Sequence, residues 1–266
     1  MAGHGDYHLT PKALVGGRFG PDVFGGIRIA LVGYCPPPSA LDAYAPQRVA
    51  DQHFIHLSPD SVRLLSHGGL RFLSLAHVYG GPVSSATVEE LAYYGIDIIL
   101  AYGLAGGLGS KNLAMGDFYR VDTACAFDGT TPHYTGDKIV AADPGLRDAI
   151  AMLWPTLSTE PLTSVQAATG DAIYRESDAV LDGYRAQGCD IVNLDSAHLF
   201  AASVINSAGR RIRTIQCGVL SDIVSGTDSE STLGTMLSAT GASGLNPLEK
   251  TGDIVRFYVE TLAPRL

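Results

Sequence analysis

Short runs of branched and apolar residues alternate along this chain with stretches of helical period, and no other feature constrains the fold as much. The runs occupy residues 27–32, 71–78, 96–102, 117–126, 164–168, 191–195 and 212–220. Residues 84–94, 143–153, 176–187, 197–207 and 248–262 carry the helical pattern, and the first of these opens on Ser84 and places Glu89 and Glu90 on its polar side. Strands that recur between helices predict an α/β chain whose sheet is covered by helices. Five strand candidates end in small or polar residues: Val32-Gly33-Tyr34, Tyr79-Gly80-Gly81, Gly103-Leu104-Ala105-Gly106-Gly107, Leu194-Asp195-Ser196 and Leu220-Ser221-Asp222. Ligands in open α/β sheets bind beyond the carboxyl ends of strands, so these segments are expected to line one cleft.

Composition narrows the class. At 266 residues, 46% hydrophobic and 17% charged, the chain can bury a sizeable core and is far from the polar composition of disordered proteins. Its 31 glycines are spread out rather than gathered in a linker, and no internal repeat interrupts it, so one domain is expected over residues 1–266. A net charge of -9 makes the average surface repel phosphate backbones and anionic lipid, which argues against nucleic-acid and membrane partners. Cys35, Cys125, Cys189 and Cys217 are widely spaced, reading as reduced thiols with no metal cluster. The first residues lack a basic-then-apolar leader, and no run approaches the ~18 apolar residues of a membrane span. A soluble, cytoplasmic protein is expected.

Two constellations carry chemistry. Glycines at 103, 106 and 107 let backbone N–H groups approach a ligand closely, so a phosphate or planar base could lie against Leu104, Ala105 and Gly106; a plain strand-exit turn is the alternative. A dinucleotide fingerprint is rejected, because Gly106-Gly107-Leu108-Gly109 leads into another strand rather than a helix. Asp195 and Asp222 each follow an apolar run, where partial desolvation raises a carboxyl pKa and can make a proton donor near neutrality. For Asp195 the alternative is an N-cap for the helix that follows. His8, alone near the start, reads by itself as exposed.

The order of motifs resembles a known family. Gly80-Gly81-Pro82, Val88-Glu89-Glu90-Leu91, Gly95-Ile96-Asp97, the glycine run from Gly103, Gly116-Asp117, Phe127-Asp128-Gly129, Thr169-Gly170-Asp171, Asn193-Leu194-Asp195-Ser196-Ala197 and Val219-Leu220-Ser221-Asp222 follow in the order of the nucleoside phosphorylase and nucleosidase superfamily. The opening His8-Leu9-Thr10-Pro11-Lys12 is similar to its uridine phosphorylase branch. The resemblance implies a three-layer αβα sandwich around a central mixed β-sheet, a nucleoside-like small-molecule substrate, no cofactor, and homo-oligomers with sites near a subunit interface.

The resemblance also assigns roles. Asp222 stands where the family's acid meets N7 of a purine leaving group. Leu194-Asp195 stands for the Met-Glu pair whose carboxylate grips the ribose hydroxyls. Ile173 takes the place of the aromatic that packs on the base, with Tyr174 as a substitute. His8 matches the histidine that reaches a neighbouring subunit's 5′-hydroxyl. The phosphate site does not match: Ala101 and Leu104 replace an arginine and a hydroxyl residue, and Gly33-Tyr34-Cys35-Pro36-Pro37-Pro38-Ser39 replaces an arginine-bearing turn. Neutral side chains cannot hold a dianion that elsewhere receives charge-assisted hydrogen bonds worth ~1.5–3 kcal/mol each. Cleavage of an N-glycosidic bond by water is therefore expected. The nucleosidases' glutamate is also missing, with Pro38 near its place, which leaves Asp195, His77 or His53 to activate the water. The alternatives are a phosphorylase whose anion site is rebuilt by Arg48, Arg63 or Arg71, and a family member repurposed for binding or another reaction. The segment 178–190 is too short for the insertion that reads uracil.

Overall fold

A computed structural model of the protein describes residues 7–224 and 246–266. Its strands are β1 (Ile29–Tyr34), β2 (Gln47–Arg48), β3 (Val62–His67), β4 (Leu70–Leu75), β5 (Ile98–Gly107), β6 (Phe118–Ala126), β7 (Ile139–Ala141), β8 (Leu162–Thr169), β9 (Ile191–Asn193) and β10 (Arg213–Ile223). The α-helices are α1 (Pro11–Leu14), α2 (Gly81–Tyr93), α3 (Pro144–Leu153), α4 (Asp178–Ala186), α5 (Ser196–Val204) and α6 (Pro247–Arg256), the last continuing as a π-helical turn over Phe257–Leu262.

All these strands belong to one mixed sheet. β1 pairs in parallel with β4 and β5, β3 and β2 extend that edge antiparallel, and β10 runs parallel to β5 on its other side. Beyond them β6 pairs antiparallel with β10 and parallel with β8, β8 pairs parallel with β9, and β9 returns antiparallel to the end of β5. Strands β5, β10, β6, β8 and β9 therefore close into a ring. Every residue of β1 is buried, as a strand covered on both faces requires.

Alternation along β10 defines the layers. Thr214 Oγ1 donates to Ser203 Oγ of α5 at 2.8 Å, and the Gln216 amide meets Ser196 at the start of the same helix. Cys217, pointing the other way, lies beside Tyr258 in the π turn after α6. The sheet is thus the middle of three layers. Helix starts follow local rules: Asp143 caps α3 by accepting from Leu146 N at 3.0 Å with Pro144 at the first position, and Asn246 with Pro247 does the same for α6.

Large tyrosines cross small neighbours at the centre. Tyr102 lies opposite Gly33, and Tyr34 opposite Gly103, on β5 and β1. A Cβ at Gly33 would come within 2.6 Å of the Tyr102 hydroxyl, so the ring occupies the space that only glycine leaves.

Two expectations are corrected. Residues 103–107 are not a strand-exit turn; they belong to β5, because β10 and β9 supply hydrogen-bond partners along this stretch. Leu220, Ser221 and Asp222 likewise lie within β10, where the register shifts between Leu220 and Asp222. The apolar residues Phe54, Leu57 and Leu65, unplaced by sequence pattern, are buried within this same chain. Leu65 lies on β3, which the sequence did not announce.

Candidate functional site

Asp222 is presented by a β-bulge. Ser221 is the extra residue, so Asp222 pairs with Gly106, and Ser221 Oγ stands 2.6 Å from Asp222 Oδ1. Bulges re-aim side chains in this way. Asp222 is only 7% exposed, and burial raises its carboxyl pKa, opposed by the Ser221 hydrogen bond.

Asp195 occupies the N-cap position of α5, yet its side chain makes no capping bond. That work is done by neighbours: Thr169 Oγ1 accepts from Ala197 N at 2.9 Å, and Asn193 Oδ1 accepts from Ser196 N at 3.3 Å. The Asp195 carboxyl is instead the end of a buried relay. Asn193 Nδ2 donates to Ser196 Oγ at 2.7 Å, Ser196 Oγ donates to Gln216 Oε1 at 2.7 Å, and Gln216 Nε2 donates to Asp195 Oδ2 at 3.3 Å. Burial holds the Asp195 pKa well above the carboxylate range despite that last bond. A buried network whose members satisfy one another fixes geometry.

Register places the two acids along one stretch of sheet. Gln216, which holds Asp195, pairs with Ala101, while Asp222 pairs with Gly106. Tyr34 ends β1 opposite Gly103, and its hydroxyl lies 2.6 Å from Ser84 Oγ near the start of α2. The Asp195 charge reaches Tyr34, Cys35, Tyr79 and Tyr119 and adds to the burial that raises each of them.

The other sequence candidates are distributed as follows. Ala105 and Gly106 are buried in β5, Leu104 is partly buried there, and Leu194 is partly buried, its carbonyl accepting from His198 Nε2 at 2.7 Å. Ile173 is 47% and Tyr174 95% exposed, in a 3-10 turn (Ile173–Arg175) ahead of α4. His8 is exposed ahead of α1. His53 is packed between Phe19 and Phe24 with ring centroids 4.1 and 5.0 Å away, a structural setting. His77 is exposed at the carboxyl end of β4, with a left-handed φ of 60° and Nδ1 3.1 Å from the Tyr79 hydroxyl. Such strain in a non-glycine residue clusters at functional sites.

The three arginines lie on β2, β3 and β4, away from β10 and Asp222 in the sheet. Arg48 pairs with Asp60, Arg63 donates to Val62 O at 3.2 Å, and Arg71 sits near the start of β4 beside Gly25. Ala101 is fully buried, its carbonyl accepting from the Tyr258 hydroxyl at 2.9 Å. A water-sized cavity of about 20 Å³ near Asp143, Phe200 and Thr214 lies at the opposite end of β10. No group of His, Cys, Asp and Glu suited to a metal occurs among the described residues.

One acid escaped the sequence reading. Glu176 was expected to begin a helix, but α4 starts at Asp178 and leaves Glu176 in the preceding turn, partly buried between exposed neighbours. Burial and the nearby Asp222 charge push its pKa up to about 7. Its signal in the sequence was only an acid placed after a strand-end Thr169-Gly170-Asp171.

Residues 36–255 match the model of the phosphorylase superfamily. The chain belongs to that superfamily. It is 31% identical over 196 residues to uncharacterized protein R802 of Acanthamoeba polyphaga mimivirus, covering 73% of this chain and 75% of that protein. Among solved structures it is similar to the native futalosine hydrolase of Helicobacter pylori strain 26695 (TM-score 0.70, 12% identity, 89% of this chain and 99% of that one). The Helicobacter pylori 5'-methylthioadenosine/S-adenosyl homocysteine nucleosidase complexed with a pyrrolidine ligand gives a TM-score of 0.69 at 13% identity, over 89% and 100% of the two chains. Purine nucleoside phosphorylase from Toxoplasma gondii gives 0.65 at 18% identity, over 88% of each. At these identities the likeness establishes the fold, a mixed sheet with helices of the nucleoside phosphorylase and nucleosidase type. No helix among the described residues is long and apolar enough to cross a membrane.

Proposed function

We propose that the protein cleaves the N-glycosidic bond of a nucleoside or nucleoside-like compound, and does so with water rather than phosphate. The observation that carries this reading is the pairing of two buried acids with a neutral surround. Asp195 is freed from capping and held by Gln216, Asp222 is aimed by a bulge, and the family resemblance sets Ala101 and Leu104 where an anion would need donors. Asp222 acts as general acid to the departing base. Asp195 steadies the sugar hydroxyls as the ring becomes oxocarbenium-like. Leu194, Leu104, Ala105 and Gly106 form the wall of the site, with Ile173 and Tyr174 on the segment beside it.

Likeness in fold to a nucleosidase and to a futalosine hydrolase supports the same class of reaction. The chain acts as one domain, supported by the single sheet. His8, exposed ahead of α1, would enter a neighbour's site in a homo-oligomer, and light scattering that gave a monomer at micromolar concentration would remove it from the site. A cytoplasmic location fits four free, buried cysteines.

The test is a panel of purine and pyrimidine nucleosides incubated with and without millimolar phosphate and analysed for free base and sugar. Free sugar at a rate indifferent to phosphate is expected. A sugar 1-phosphate as main product would overturn the hydrolytic reading in favour of a phosphorylase.

A further inference from the structure

Gln216 interrupts an apolar stretch of β10, between Ile215 and Cys217, and no part of it is exposed. Its backbone is bridged on both sides, to Ala101 of β5 and Val121 of β6, so its side chain starts from a fixed point. Gln216 Nε2 lies 3.7 Å from where a Cβ would stand on Gly103, the residue opposite Tyr34. Backbone amides set the direction of the hydrogen bonds that lead to it. Asp195 N and Ser196 N, which can only donate, meet Asn193 Oδ1 at 3.3 Å each, and Thr169 Oγ1 donates to the same oxygen at 3.3 Å. Asn193 Nδ2 must therefore donate to Ser196 Oγ, and that hydroxyl donates its own hydrogen to Gln216 Oε1. Nε2 is left to face Asp195 Oδ2. The opposite orientation of the amide would put two donors on the Ser196 oxygen, strand the Ser196 hydrogen, and aim Oε1 at a carboxyl that could meet it only as an acid.

We propose that Gln216 is a positioning residue for the reaction: its amide saturates Oδ2 with a fixed donor, so that Asp195 works as a carboxylate and meets the substrate through Oδ1. This deepens the glycosidic-cleavage reading above and rests on it. Oδ1 makes no hydrogen bond among the described residues. A donor held against a carboxyl favours its ionised form, here against burial that favours the neutral one. The titratable groups around Asp195 add no positive charge. Tyr34 at the end of β1, Cys35 after it, Tyr79 beyond β4 and Tyr119 on β6 are neutral hydroxyls and a thiol that burial raises. His198 on α5 is turned to Leu194 O and pushed down by burial. Among the described residues Gln216 is therefore the group that supports the Asp195 charge.

The experiment follows the infrared C=O band of the protonated carboxyl, assigned as the band that Asp195→Asn removes, against pH in the full chain, in Gln216→Met and in Ser196→Ala. Gln216→Met keeps the length and loses the donor, and loss of a hydrogen bond to a charged group should move the Asp195 titration up by about 1–2 pH units. Ser196→Ala removes a hydroxyl that has no bond to Asp195, yet it frees the Gln216 amide to turn, so its shift should have the same sign. On the nucleoside that the panel selects, the acidic limb of kcat/KM should move with the band. A titration unmoved in either folded variant, whatever happens to Tm, would make the relay structural only and overturn the proposal. So would a wild-type band that persists to about pH 9, because no carboxylate would then be present to work. The band is read without substrate, so shifted titrations in a chain that cleaves no nucleoside would fail the cleavage reading alone.

Discussion

Replacing Asp222 by Asn separates chemistry from architecture at the one acid placed by a bulge. Asn keeps the shape and an oxygen to accept from Ser221 Oγ, now 2.6 Å from Oδ1, but it cannot deliver a proton. A donor that strengthens its contact as the base gains charge acts on the transition state, and one general acid contributes typically ~10²–10⁴-fold. That corresponds to about 3–5 kcal/mol of barrier. Stability moves differently. Burial raises the folded-state pKa of Asp222, so the folded chain keeps a proton that the unfolded chain has lost above the ordinary carboxylate range. Ionising it there costs stability as pH rises, and Asn removes that cost. The variant should therefore melt at or above the wild-type temperature at pH 7.5 while kcat falls ~10²–10⁴-fold with little change in KM. Steady-state kinetics on the nucleoside that the panel selects, with calorimetric melting of both proteins, provide the check. A folded variant with turnover within threefold of wild type ends the general-acid assignment, and a large drop in Tm would make Asp222 structural instead.

Glu90 gives a pH signature independent of the site: it is 3% exposed, accepts from Ile55 N at 2.8 Å, and has its pKa raised by burial from 4.5 to about 7. Its folded pKa is the higher one, so it removes stability as pH climbs from 4.5 towards 7, on the order of 3 kcal/mol at ~1.4 kcal/mol per pH unit; Glu90→Gln should flatten that part of the urea-denaturation profile relative to wild type. Gln216→Leu leaves the Ser196 hydroxyl and the Asp195 carboxyl without their partner, costing about 2–4 kcal/mol and lowering Tm by about 5–15 °C, and an unchanged Tm would show that the relay holds nothing. Gly33→Ala drives a methyl to within 2.6 Å of the Tyr102 hydroxyl and 2.7 Å of Cζ. That overpacking should cost about 1–3 kcal/mol, and adding Tyr102→Phe should recover part of it, measured as the difference in Tm between single and double variants.

What the sequence made legible was whatever repeats locally. Residues 29–32 and 98–102, within the runs at 27–32 and 96–102, read as strands because burial on both faces demands unbroken apolar runs, and Asp143-Pro144 announces α3 through its cap. β3 was not legible, since Val62–His67 buries only Val62 and Leu65 fully and shows no period of two. Nor was the true extent of β5: glycines at 103, 106 and 107 read as a turn, and only the arrival of β10 and β9, from over 80 residues away, makes them strand. The capping alternative for Asp195 was reasonable from its position, yet Thr169 and Asn193 take over that role through contacts no local pattern encodes. Glu176 was hidden for a like reason, its partial burial ahead of α4 following from the fold and not from a local pattern.

These non-local placements bear on the choice of nucleophile more than the missing arginines do. Asp195, Asp222 and Glu176 are all pushed upward by burial, so each is a group that prefers to be neutral or to share a proton. A phosphate dianion entering beside them would meet carboxyls that it forces to stay protonated. Water carries no charge to desolvate and needs only an acceptor for one proton. A carboxyl of this set can take that proton only while it is ionised, and water, unlike a dianion, does not oppose that ionisation, so a lining of such acids suits hydrolysis better than phosphorolysis.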